Sequence, residues 1–129
     1  MNTSLTLFGR VGLSLIFIIS GWGKIAAYAG TQQYMASAGV PGSLLPLVIA
    51  LELGGGLAVL TGAFTRWIAL ALAAFSLASA ALFHAHLGDA AQAINFWKNV
   101  AMAGGFLMLA ANGAGTLSLD HVWNKRRNA

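Results

Sequence analysis

One acidic residue lies inside an otherwise apolar segment of this sequence. Glu52 lies eight residues after Leu44, where an apolar stretch begins. In a helix starting near Leu44, its carboxylate would lie roughly 12 Å from that end of the helix. If that helix spans a membrane, the charge is costly and should face other helices with a partner or a proton. Lys24 lies about 5 Å from the same end of the preceding apolar stretch, and two long side chains can close the remaining gap. The spacing therefore predicts a buried Glu52–Lys24 pair that could exchange a proton.

Further polar and aromatic residues collect at the level of this pair. His84 and His86 lie at the end of the third apolar stretch, and Tyr34 lies after the first. The two histidines are two residues apart, which on a helix directs them to nearly opposite faces, so no metal site is predicted. We predict a polar pocket with Glu52 and Lys24 as its reactive residues. Its predicted ligand-binding residues are Trp22, Tyr28, His84, Trp97, Lys98 and Asn99.

The composition indicates that lipid surrounds these residues. The 129-residue chain is 58% hydrophobic and only 8% charged, whereas soluble domains carry about 25% charged residues. Cysteine is absent, which excludes iron–sulfur clusters and thiol redox chemistry, and no second helix offers a histidine level with His84 for haem. The cofactor stays unidentified, with a quinone as one candidate. The net charge of +4 comes from residues at the ends of apolar runs, which favours lipid head groups over nucleic acid.

Four apolar stretches, each near the ~20 residues of a membrane span, organise the chain. They cover about residues 7–28, 44–61, 67–87 and 96–111. The pattern predicts an all-α membrane protein in which residues 1–129 form one domain, an antiparallel bundle of four transmembrane helices. Small residues spaced four apart, as in Gly54-Ala58-Gly62, are expected to mark helix contacts.

The basic residues predict the orientation of this bundle. Arg10, Arg66 and the cluster at 125–127 fall at one end, and Lys24 and Lys98 fall at the other. Because cytoplasmic loops carry the excess of Lys and Arg, both termini should be cytoplasmic.

Several motifs together give the chain a family resemblance. They are Gly21-Trp22-Gly23-Lys24-Ile25, Glu52-Leu53-Gly54-Gly55-Gly56, Phe83-His84, Lys98-Asn99 and Gly104-Gly105. In order and spacing they resemble the DoxX family of bacterial inner-membrane proteins. Together with the runs Tyr28–Met35 and Gly39-Val40-Pro41-Gly42 they resemble its YqjF-like branch, and the resemblance extends from about Arg10 to Asn124. The resemblance implies a multi-pass protein of the bacterial inner membrane and a link to redox physiology and oxidative stress, since some relatives are subunits of thiosulfate:quinone oxidoreductases and others give resistance to quinones or catechols. The residues it carries over are Lys24, Glu52, His84, Lys98 and Asn99.

Three functions are compatible with these features. The first is binding of a quinone- or catechol-like aromatic, as an oxidoreductase subunit whose electrons come from a partner subunit or a bound cofactor. The second is a non-catalytic scaffold or assembly factor, and the third is a small proton-coupled exporter. The expected partners are the lipid bilayer and either a second copy of the chain or a redox subunit.

Overall fold

The computed structural model describes residues 2–129, and within that range every regular element is helical. The prediction of an all-α protein is therefore confirmed. The first four helices follow one another with short connections, and the last two are each preceded by a longer one. The helices are α1 (Thr3–Ala26), α2 (Tyr28–Ser37), α3 (Gly42–Thr61), α4 (Thr65–Phe83), α5 (Ala90–Asn112) and α6 (Leu119–Arg127).

Among the described residues, α1, α3 and α4 are long and apolar enough to cross a membrane, with mean hydropathies of 1.6, 2.0 and 1.7. Helix α5 has 23 residues, but its first half carries polar side chains, among them Gln92, Asn95 and Asn99. Three candidate spans are thus present, and the fourth crossing stays a prediction.

The helix ends follow their capping chemistry. The side chain of Asn2 accepts a hydrogen bond from the Leu5 amide at 3.0 Å and starts α1, as expected for an N-cap. Asp89 accepts from the amides of Ala91 and Gln92, so α5 begins well before the predicted start near residue 96. Helix α4 ends at Phe83, earlier than the predicted end near residue 87.

A short helix occupies part of the sequence predicted as the first loop. Helix α1 stops at Ala27, whose backbone leaves the helical region, and α2 begins directly after it. The side chain of Gln32 on α2 donates to the Gly42 carbonyl at 3.2 Å, and Met35 is buried. Helix α2 is thereby folded against the start of α3.

Helix α3 changes its hydrogen-bonding pattern along its length. It opens with a 3₁₀ turn (Gly42–Leu44), continues as an α-helix (Leu45–Ile49), widens into a π turn (Ala50–Gly54) and ends as an α-helix (Gly55–Thr61). A π turn accommodates an extra residue within an α-helix and often marks a functional site. The π turn contains Glu52.

Close approach of α1 and α3 depends on two glycines. A Cβ on Gly21 would lie 2.9 Å from the backbone nitrogen of Leu53, and one on Gly56 would lie 2.8 Å from the Ile18 side chain. The predicted contact stripe is wrong at Gly54, which has no other group within 4 Å of an added Cβ. The contact with α1 falls instead on Gly56, and Gly55 faces Leu72 of α4.

The apolar core lies between α1, α3, α4 and α5. The ring of Phe17 packs edge-to-face on Phe106, with centroids 5.4 Å apart, and on Phe75 at 6.3 Å. Val59 and Leu72 are fully buried in the same cluster. This core holds the helices in fixed relative positions beside the Glu52 level.

The first turns of α1 and the segment before α6 meet at one end of the molecule around a buried arginine. Arg10 is 1% exposed and donates to the carbonyls of Val59 at 3.3 Å, Leu60 at 3.2 Å and Leu117. The Leu60 carbonyl belongs to the last turn of α3, whose oxygens lack helical partners, and the Val59 carbonyl also accepts from the Gly62 amide at 3.2 Å. The bond to the Leu117 carbonyl attaches the segment before α6 to α1.

Candidate functional site

Glu52 and Lys24 form a salt bridge, as their spacing predicts. The Lys24 Nζ lies 3.0 Å from Glu52 Oε2, and this is the salt bridge found within residues 2–129. The Glu52 side chain is 5% exposed, whereas that of Lys24 is 28% exposed. The carboxylate is therefore withdrawn from solvent, and the ammonium reaches toward the surface.

Local structure brings the pair together. The close contact of Gly21 with Leu53 joins α1 and α3 within one helical turn of both charged residues, which removes the vertical gap expected from the sequence. Among the described residues, Glu52 Oε2 accepts from Lys24, and no group donates to Oε1. One carboxylate oxygen thus remains available to a ligand.

A cavity of about 310 Å³ opens beside the pair. Helices α1, α2, α3 and α4 all contribute to it. Most of its wall is apolar or aromatic, and Tyr34 stacks on Phe83 with ring centroids 5.3 Å apart and planes inclined by 20°. Its lining residues are Lys24, Thr31, Tyr34, Met35, Val40, Val48, Glu52, Phe75, Ala78, Ser79, Leu82, Phe83 and His84.

A second cavity of about 250 Å³ lies on the other side of the pair, toward α5. It shares Lys24, Glu52 and His84 with the first cavity and reaches Asn95 and Asn99. The salt bridge therefore lies between an apolar chamber and a smaller one lined by amides. Such an arrangement allows a ligand on one side and a polar route for a proton on the other.

His84 is fixed by a residue that the sequence interpretation did not include. Its Nδ1 lies 2.8 Å from Gln92 Oε1, so with the proton on Nδ1 the imidazole donates to the amide oxygen. Gln92 gave no signal in the sequence because α5 was expected to begin after it. Within residues 2–129, no three His, Asp or Glu side chains are grouped as metal ligands would be.

The structure brings together some of the predicted site residues and separates others. Glu52, Lys24, His84 and Asn99 line one or both cavities. The remaining predicted ligand-binding residues, Trp22, Tyr28, Trp97 and Lys98, lie on exposed surface and outside these two linings. Trp22 is 67% exposed and Trp97 is 58% exposed, as expected of side chains that anchor a protein at the membrane interface.

Helix α2 supplies cavity residues that composition alone could not identify. Tyr34, Met35 and Thr31 reach the larger cavity only because α2 folds against the start of α3. The sequence placed Tyr34 in a loop near the site but gave no geometry for it.

Comparisons with known proteins agree with this architecture. Residues 5–85 match the DoxX family model. The chain is 51% identical over 120 residues to "Inner membrane protein YqjF" of Escherichia coli (strain K12), covering 93% of this chain and 92% of that protein. It is 42% identical over 123 residues to "Inner membrane protein YphA" of the same organism, covering 90% and 88% respectively.

A third relative is more distant. The chain is 35% identical over 68 residues to "Putative oxidoreductase CatD" of Bacillus subtilis (strain 168), covering 53% of this chain and 51% of that protein. No solved structure matches the chain significantly. The match of more than half the chain to the family model and its identity to two full-length relatives confirm the predicted family and location: the chain belongs to the DoxX family and is a multi-pass inner-membrane protein.

Proposed function

We propose that the chain forms one membrane domain of four crossings, residues 1–129, with both termini in the cytoplasm. Helix α5 supports a fourth crossing, because its 23 residues extend about 34 Å and pack along α4. The distribution of charge supports the orientation: Arg10, Arg66 and the basic cluster of α6 lie toward the end that carries both termini. The excess of positive charge at that end follows the positive-inside rule.

We propose further that the protein binds a small oxygenated aromatic of the quinone or catechol class in the cavity beside Glu52. The observation that carries the proposal is a buried salt bridge opening into an apolar, aromatic-lined chamber of about 310 Å³. That volume falls within the range of ligand sites, which combine apolar walls with a few convergent polar groups. Lys24 donates a hydrogen bond to a ring oxygen, and Glu52 Oε1 accepts one from a ring hydroxyl.

An oxidoreductase role for this site needs a partner. Reducing a quinone to a quinol consumes two electrons and two protons, and this chain contains no cysteine to carry electrons. In the proposed reaction a redox subunit supplies the electrons, Glu52 passes protons to the ring oxygens, and the cavity toward α5 resupplies Glu52. The name of the distant relative, "Putative oxidoreductase CatD", is consistent with such a role.

The test is a thermal-shift titration of the purified protein in detergent with soluble quinones, quinols and catechols. We expect at least one class to raise the Tm by several degrees, and we expect Glu52→Gln to abolish the effect. His84→Gln should weaken it, whereas His86→Gln, a matched change outside both cavity linings, should leave it intact. Indifference of the wild-type protein to all three classes would reject the proposal.

A structural role for the salt bridge is the second candidate. The bridge joins α1 to α3 next to the close contact of Gly21 with Leu53, so its role would be to fix the register of the two helices. This candidate predicts that Glu52→Gln lowers stability but leaves the protein fully functional in cells, with no ligand effect in either form.

A further inference from the structure

A separate cleft of about 760 Å³ lies at the end of the molecule that carries both termini. It lies between the start of α4, the end of α5 and helix α6, and it shares no lining residue with the two cavities beside Glu52. We name it the basal cleft. The lining residues on which its chemistry depends are Phe64, Arg66, Trp67, His121, Trp123 and Arg127.

The basal cleft has a net positive character. Asp120 also lines it, but its Oδ1 accepts from the Phe64 amide at 2.8 Å and its Oδ2 from the Thr65 amide at 2.9 Å. The acidic group is thus committed to capping α4. Arg66 uses its Nε to donate to the Ala110 carbonyl at 3.3 Å, and no salt bridge within the described chain engages either it or Arg127.

Aromatic side chains form the rim of the same cleft. Phe64 and Trp67 are 63% and 72% exposed, and the ring of Phe64 lies 5.2 Å from that of Trp123. Phe64 lies in the left-handed backbone region, with φ of 50°, and its exposed ring lies beside Trp123 of α6. Exposed tryptophans at the start of an apolar helix mark the depth of the lipid head groups.

We propose that the basal cleft binds the phosphate of an anionic phospholipid of the adjoining leaflet. The guanidinium groups of Arg66 and Arg127 match phosphate oxygens in charge and geometry, and the aromatic rim contacts the glycerol and upper acyl region. A soluble phosphate shares the ionic chemistry but makes no use of the rim, so the surface favours the lipid. This inference is independent of the proposed ligand at Glu52.

The experiment measures binding to the purified full-length protein in neutral detergent. Dioctanoyl phosphatidylglycerol, dioctanoyl phosphatidylcholine and glycerol phosphate are titrated separately, with thermophoresis as readout. The test variant is Arg66→Gln/Arg127→Gln. The matched control is Lys125→Gln/Arg126→Gln, which removes the same charge from neighbouring positions that do not line the cleft.

We expect phosphatidylglycerol to bind the wild type and the control alike, and the test variant to bind at least about tenfold more weakly. Equal loss in both double variants would overturn the proposal, since only overall charge would then matter. Absence of phosphatidylglycerol binding, or equal affinity for phosphatidylcholine, would also overturn it. Equal affinity for glycerol phosphate would reassign the cleft to a soluble phosphate.

A single variant tests the proposal even if the double variant does not fold. Arg127 is exposed at the end of α6 and outside the packed core, so Arg127→Gln should fold. It should weaken phosphatidylglycerol binding several-fold, and wild-type affinity in this variant would contradict the assignment.

Discussion

The unequal burial of the two charges in the Glu52–Lys24 salt bridge predicts unequal effects of removing them. The glutamate side chain is 5% exposed and that of the lysine 28%. Lys24→Met leaves the buried Glu52 carboxylate without its hydrogen-bond donor, and no other group within residues 2–129 donates to it. Breaking a buried pair in this way costs about 3–5 kcal/mol, and the partial exposure of the lysine puts the expected loss near about 3 kcal/mol.

Removal of the acid should cost much less. In Glu52→Gln the remaining ammonium can reach water from its partly exposed position, so the loss should be at most about 1 kcal/mol. For a chain of this length, the loss in Lys24→Met corresponds to a fall in Tm of roughly 10 °C, and that in Glu52→Gln to a fall of at most about 4 °C. The double variant Lys24→Met/Glu52→Gln should be more stable than Lys24→Met alone.

The assay is thermal unfolding of the four proteins in one detergent, analysed as a double-mutant cycle. Lys98→Met removes an equal charge from an exposed position on α5 and should change stability by less than about 0.5 kcal/mol. Two results would refute the reasoning: equal losses for the two single variants, or additivity in the double variant within about 0.5 kcal/mol.

Three further predictions concern the backbone contacts and caps. Gly21→Ala should lower the free energy of unfolding by about 1–3 kcal/mol, because its Cβ would collide with the facing helix. Gly54→Ala, where the Cβ meets open space, should be neutral or stabilising. Thermal unfolding compares the two variants, and equal losses of stability would contradict the close approach. Gly62→Ala should be far more damaging than Gly39→Ala, since both glycines have positive φ but only the first would also collide with neighbouring side chains; similar yields of folded protein in size-exclusion chromatography would count against this. Asp120→Ala should cost about 1–2 kcal/mol by leaving two amides at the start of α4 uncapped, and an unchanged Tm would show that the cap does not matter.

The all-helical class and the Glu52–Lys24 pair could be predicted because they follow from simple physical constraints. Long apolar stretches with few charges have no stable alternative to helices in lipid. A carboxylate within such a stretch needs a partner, and the depth of Lys24 made it the best available one. The structure contains that bond at 3.0 Å.

Features that depend on tertiary contacts could not be predicted in the same way. Helix α2 has little amphipathic pattern, and its place depends on the bond from Gln32 to the start of α3. The π turn around Glu52 has no recognisable residue pattern, and the sequence did not show that Gly56 rather than Gly54 faces α1. From the sequence, Arg10 was interpreted as a charge that sets the orientation of the bundle in the membrane. In the structure it is buried against carbonyls of α3 and of the segment before α6.

The position of these last contacts has a consequence for biosynthesis. Arg10 is synthesised about a hundred residues before one of its acceptors, the carbonyl of Leu117. The amides at the start of α4 are capped by Asp120, which is also synthesised later. Until residues 117–120 have been translated, Arg10 lacks one of its acceptors and the amides of Phe64 and Thr65 lack theirs. Completion of this end of the bundle therefore requires the synthesis of residues 117–120, and a ribosome-stalled or truncated chain ending before Leu117 should remain open to quality-control proteases here.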